Sequence, residues 1–107
     1  MEDRRMYTRI KMNMRLKFLD LSKGKEGEAD TVDISGNGVG FVTKEDLSVN
    51  TPLDIWLMIP DQHEPYYVKG EVIWSKQLNG NGQQRVGVHI KEDLMGLART
   101  LRFRQQT

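Results

Sequence analysis

Two groups of residues in this chain of 107 could do chemistry. Arg5 and Arg9 stand four apart in "RRMYTR", ahead of the first clear strand pattern. In a helical turn that spacing puts both on one face, and in an extended segment it keeps them on one side. Two guanidiniums so placed can converge on one ligand. They suit phosphate oxygens and the O6/N7 edge of guanine, and they stack on base planes. The second group is "DISGNGVGF", where Asp33 and Ser35 stand beside Gly36, Gly38 and Gly40. Glycine weakens a strand through lost backbone entropy and a missing side chain, so this cluster needs a reason. Each group also has an ordinary reading when taken alone. The arginines can form an exposed basic arm. The glycines can form a tight turn at positive φ, with Asp33 and Ser35 capping backbone N–H groups.

Other chemistries find little footing. The two histidines, His63 and His89, are 26 positions apart and in no ligand spacing, and the chain has no cysteine. His89 alternates with apolar neighbours and reads as a solvent-facing strand residue. Carboxylate pairs occur in charged turns such as Glu45-Asp46 and Glu92-Asp93. Ser35 lacks the G-x-S-x-G context of a nucleophile elbow. The third glycine of a dinucleotide fingerprint would fall on Phe41, and Lys44 lacks the spacing and hydroxyl of a P-loop. The sequence therefore points to a binding protein with no metal and no cofactor, and not to an enzyme.

The elements that must position these residues read mainly as strands. Met12, Met14, Leu16 and Phe18 alternate with polar residues, followed by a flexible polar turn from Ser22 to Glu28. Val32 and Ile34, then Val39, Phe41 and Val42, give two short strands around the glycines. Leu53, Ile55, Leu57 and Ile59 share one face between Pro52 and Pro60. Val68, Gly70, Val72 and Trp74 face one way by alternation, and Ile73 the other. "NGNG" from Asn79 to Gly82 signals a hairpin, returning through Val86, Val88 and Ile90. Alternation sets Trp56 opposite the Leu53 face, although a core contact is the commoner fate of a tryptophan. Leu94, Leu97, Ala98 and Leu101 then recur at helical spacing. These elements predict an all-β, six-stranded antiparallel barrel with a C-terminal α-helix. The chain is one domain: a mobile N-terminal segment at 1–10, the barrel at 11–90 and the helix at 92–104.

Net charge is +1, with 37% hydrophobic residues, which exerts no global pull toward nucleic acid or anionic membrane. No apolar run is long enough to span a bilayer, and the charged start lacks a signal-peptide core, so a cytoplasmic protein is expected. Charge is uneven, however: Arg4, Arg5, Arg9, Lys11, Arg15 and Lys17 fall in one stretch without an acid.

Together the two groups resemble the PilZ domain, a bacterial receptor family for cyclic di-GMP. Its R-x-x-x-R motif is matched by Arg5 to Arg9, and its [D/N]-x-S-x-x-G motif by Asp33, Ser35 and Gly38. "GEVIW" (Gly70 to Trp74) and "RVGVHI" (Arg85 to Ile90, with Gly87) agree more weakly. The resemblance covers nearly the whole chain and implies the same barrel with a terminal helix. It implies that Arg5 and Arg9 hold phosphates and guanine Hoogsteen edges. Asp33 would accept from a guanine N1–H or amino group, Ser35 would bond a base edge or phosphate, and Gly38 would let the ligand approach the backbone. Arg4, just before the motif, implies an intercalated dimer of the ligand. Gly36, Asn37, Trp74 and Gly87 are further candidates. The expected device is a switch: the N-terminal segment orders over the ligand and signals to an unidentified effector protein. The alternative is a PilZ-like adaptor that binds no nucleotide. A barrel binding nucleic acid polymers through the basic strip is disfavoured, because the strand faces lack clustered aromatics.

Overall fold

Alternation in the sequence becomes seven strands: β1 (Ile10–Lys11), β2 (Arg15–Asp20), β3 (Lys25–Ser35), β4 (Gly38–Thr43), β5 (Pro52–Leu57), β6 (Tyr66–Leu78) and β7 (Gln83–Ile90). The computed structural model describes residues 10–92 apart from 12, 61 and 79. The expected helix over 92–104 lies outside the described residues, save its first position, and so does the N-terminal segment through residue 9.

All pairings are antiparallel, and the order β3-β2-β5-β6-β7-β4 closes on itself through β3–β4. β1 and β2 lie end to end along one edge of β3, with Lys11 opposite Asp33 and Arg15 opposite Asp30. The barrel is therefore six-stranded, as expected, with its first strand broken in two. Thr31 bridges the break: its N–H donates to the Met14 carbonyl at 2.8 Å, and its Oγ1 accepts from the Met14 N–H at 2.9 Å.

Each strand sends alternate side chains inward. Leu16 and Phe18, Ile34, Val39 and Phe41, Leu53, Ile55 and Leu57, Val68 and Val72, and Val86, Val88 and Ile90 are all buried. Phe18 and Phe41 stack within this core, ring centroids 5.6 Å apart. Each such side chain contributes about 1.5–3 kcal/mol on burial, and together they hold the wall on which the outward residues sit.

One turn is shorter than the sequence implied. The Asp20 carboxylate accepts from the N–H groups of Ser22 (2.9 Å) and Lys23 (3.2 Å), and Gly24 takes φ 67°. The chain is back in a strand at Lys25. The flexible stretch expected through Glu28 is thus the charged start of β3, paired residue by residue with β2. Its charges misled because the outer face of a barrel strand is solvated and carries no apolar signal. The "NGNG" hairpin is as expected, with Gly80 and Gly82 at φ 71° and 79°.

Candidate functional site

The Asp33 motif and the Trp74 segment meet on the barrel's outer wall. Register aligns Asp33 (β3) with Gly40 (β4), Gly40 with Gly87 (β7), and Gly87 with Trp74 (β6). The inner two of these four outward positions are glycines, so the outer two side chains can lie over bare backbone. A Cβ built on Gly40 would stand 2.9 Å from Asp33 Oδ1. The carboxylate therefore lies across β4, and Arg85 Nη2 on β7 donates to its Oδ2 at 3.3 Å. Asp33 and Arg85 are two strands apart, a span of about 9–10 Å between backbones. A side chain on Gly40 would crowd the position that the carboxylate takes.

Trp74 uses the second glycine in the same way. A Cβ on Gly87 would lie 2.3 Å from the indole ring, which rests directly over that position. Simple alternation would send Trp74 inward with Val72. The structure corrects this: Val72 pairs with Val88 and Trp74 with Gly87, leaving Ile73 as the extra residue of a β-bulge. The bulge shifts the alternation by one, and Trp74 stands outside at 37% exposure. A second bulge, at Val32, similarly sets the register that aims Asp33 across Gly40.

Ser35 closes the β3–β4 hairpin opposite Gly38, with Gly36 and Asn37 as its turn. Ser35 is only 2% exposed, and its hydroxyl donates to Asn37 Oδ1 at 3.1 Å. The Asn37 carbonyl accepts from Ile90 N–H at 2.9 Å, tying the turn to β7. Among the described residues the positive-φ glycines are Gly24, Gly80 and Gly82, and Gly36, Gly38 and Gly40 are not with them, contrary to the tight-turn reading. Gly38 instead permits close strand packing, since its Cβ would meet the Val88 carbonyl oxygen at 2.7 Å. In the row from Asp33 to Trp74, Gly40 and Gly87 make room for the side chains of Asp33 and Trp74.

Arg85 was not legible as a site residue from the sequence. Alternation does put it on the outward face with Gly87 and His89, but only the β4–β7 pairing brings it to Asp33. Its Nε is buried without a hydrogen-bond partner. Arg4, Arg5 and Arg9 lie outside the described residues. The wall thus offers a nearly buried carboxylate (Asp33 is 6% exposed), a guanidinium with donor capacity in hand, and an aromatic plane. That set can accept from N–H groups, donate to anions and stack on a planar ring.

The rest of the wall differs in chemistry. A cavity of about 400 Å³ lies between β3, β2 and β5, lined by Lys17, Phe18, Glu26, Gly27, Glu28 and Trp56. It shares no residue with the Asp33 row. Trp56 does not reach the core: it packs on the outer face against Tyr67, centroids 5.4 Å apart. Nearby, Arg15 donates to Glu28 at 2.7 Å, so the basic strip is compensated there. Among the described residues no group of three or more His, Asp or Glu gathers as a metal site, and no helix is long and apolar enough to cross a membrane.

Comparison with solved structures gives the same fold in other proteins. The inhibitor of motility MotI/DgrA from Bacillus subtilis superposes with a TM-score of 0.68 at 17% identity, covering 92% of this chain and 47% of that one. The PilZ domain with c-di-GMP of YcgR from Escherichia coli gives 0.64 at 16% identity, covering 92% and 86%. MrkH, a c-di-GMP-dependent transcription regulatory factor, gives 0.64 at 18%, covering 87% and 46%. The chain spans about half the length of the first and third of these (47% and 46%). No curated protein matches it in sequence. The sequence profile of the PilZ domain matches residues 3–103, nearly the full length. The chain belongs to the PilZ domain family.

Proposed function

We propose that this chain is a receptor for cyclic di-GMP, acting by binding and not by catalysis. The observation that carries the reading is the row Asp33–Gly40–Gly87–Trp74 with Arg85 beside it. A guanine nucleotide asks for a carboxylate facing its N1–H and amino group, for cations at its phosphates, and for a flat surface under its base. The family, and the c-di-GMP named with the YcgR PilZ domain and MrkH, support the choice of ligand.

In this reading Asp33 accepts from a guanine edge while Arg85 holds it in place, and Trp74 stacks on a base. Ser35 bonds a base edge or phosphate once the hairpin turn yields its hydroxyl. Arg5 and Arg9 take phosphates and Hoogsteen edges, and Arg4 contacts the second molecule of an intercalated ligand dimer. Gly36, Asn37, Gly38 and Gly87 act through the backbone path they shape. Residues 1–10 order over the ligand and present a new surface to an effector protein, in a cytoplasmic setting. The ordering cost comes out of the ligand contacts.

Isothermal titration with cyclic di-GMP tests this, with GMP as a control and Arg9→Ala beside the native chain. Hydrogen bonds to a charged group are each worth about 1.5–3 kcal/mol, so the variant is expected to bind roughly ten- to a hundredfold more weakly. Two ligands per chain supports the role of Arg4, and one removes it. Absence of heat with the native chain overturns the receptor reading and leaves the nucleotide-free adaptor.

A further inference from the structure

Beyond Val72, β6 has a partner on one side only among the described residues. β5 begins at Pro52, opposite Glu71. Val72 itself is bonded to the loop before β5: its N–H donates to Thr51 O at 3.0 Å, and its carbonyl accepts from Asn50 N–H at 2.7 Å. From Trp74 to Leu78, β6 pairs with β7, and among the described residues nothing pairs with its other edge. An open edge is a row of unused N–H and C=O groups that can template one more strand. This one contains no proline, and Ser75, Lys76 and Gln77 along it are exposed. At its start, Ile73 and Val49 are about half exposed (53% and 49%), giving an incoming strand an apolar contact.

Charge says what kind of strand fits. From Val72 to Lys91 the sequence holds no carboxylate, and its formal charges are Lys76, Arg85 and Lys91. Lys76 lies opposite Arg85 in the ladder. Arg85 is held by Asp33 of β3, which leaves Lys76 as the charge of residues 73–78 that no carboxylate meets among the described residues. A second copy of this chain adding its own β6 would bring the same cations together, and like charges across strands are unfavourable. A lysine on an edge is the usual guard against indiscriminate pairing. The strand it does not repel is an acidic one.

We propose that the open edge of β6, residues 73–78, docks an extended acidic segment of a partner protein by strand addition. This goes beyond the nucleotide reading and does not depend on it.

The test uses the full chain, isotopically labelled, without nucleotide. The probe is a synthetic seven-residue peptide of sequence Glu-Val-Glu-Thr-Glu-Val-Glu with blocked ends, beside the same peptide carrying Lys for every Glu. Amide shifts and hydrogen exchange read the site. The acidic peptide is expected to slow exchange at amides within 73–78 and to bind about tenfold more tightly than the basic one. Lys76→Glu, at an exposed position whose folding is checked by circular dichroism, is expected to reverse that preference. Equal response to both peptides, or shifts confined to the Asp33 row or the N-terminal arginines, overturns the proposal. So does self-association of the native chain through this edge, seen by sedimentation.

Discussion

At the scale of single residues, the motif glycines do different work, and substitution separates them. On Gly38 a methyl group would meet the Val88 carbonyl at 2.7 Å, and backbone has little freedom to retreat. On Gly40 the methyl meets the end of the Asp33 side chain at 2.9 Å, which can swing aside. Gly38→Ala is therefore expected to destabilise the fold by about 1–3 kcal/mol in thermal or urea melting. Gly40→Ala is expected to melt close to the native chain while weakening cyclic di-GMP binding, because Asp33 loses its place over β4. Equal melting losses in both variants would refute this division of roles. A second residue-scale expectation concerns Tyr67, whose hydroxyl donates to Asp54 Oδ1 at 2.6 Å. This hydrogen bond first, then burial and the charges of Asp54 and Glu92, push its pKa up to about 12. The folded value lies above the ordinary tyrosine value near 10, so the bond's contribution to stability is complete below about pH 10. It is lost as pH rises through about 12. Asp54→Ala should bring the phenolate absorbance transition of Tyr67 back toward ordinary tyrosine, and an unchanged titration would remove Asp54 as the cause.

At the scale of elements, the inward pattern was legible and the register was not. Leu16 and Phe18, Leu53 to Leu57, and Val86 to Ile90 alternate without interruption, and each reaches the core as read. Trp74 and Lys25 to Glu28 were misread for two physical reasons. A bulge is an extra residue with no sequence signature of its own, so Ile73 silently turns Trp74 outward. A strand whose outer face is charged and whose inner face passes through a glycine shows no alternation at all. Gly27 is that glycine: its Cβ would meet Phe18 Cζ at 2.4 Å and Glu45 Cγ at 2.9 Å. If this segment were a flexible turn, Gly27→Ala would be silent. In the strand it forces the buried Phe18 ring to move, and a loss of about 1–3 kcal/mol in equilibrium melting is expected. The site was legible in the same partial way. Asp33, Ser35 and Gly38 stand in a recognisable motif, whereas Arg85 emerges only once β7 is known to pair with β4.

At the scale of the whole molecule, the proposed ligand would act on a barrel that is already closed. The row from Asp33 to Trp74 crosses β3, β4, β7 and β6, and the pairing of β3 with β4 completes the ring. A molecule spanning that row touches strands from both ends of the linear sheet order, so it binds only where the ring is intact. Unfolding must then release it, and binding energy appears as stability. At a free concentration one hundred times Kd, the linkage amounts to about 2.7 kcal/mol. For a domain of this size that is a rise in melting temperature on the order of 10–20 °C. The double variant Arg5→Ala, Arg9→Ala is expected to melt with the native chain when free, since the buried apolar core among the described residues runs from Met14 to Ile90. It should show almost none of the ligand-induced rise. A full rise in the variant would mean that the barrel wall binds without the arginines. A native chain whose melting does not respond to cyclic di-GMP would mean that Asp33, Arg85 and Trp74 are arranged for some other planar, hydrogen-bonding partner.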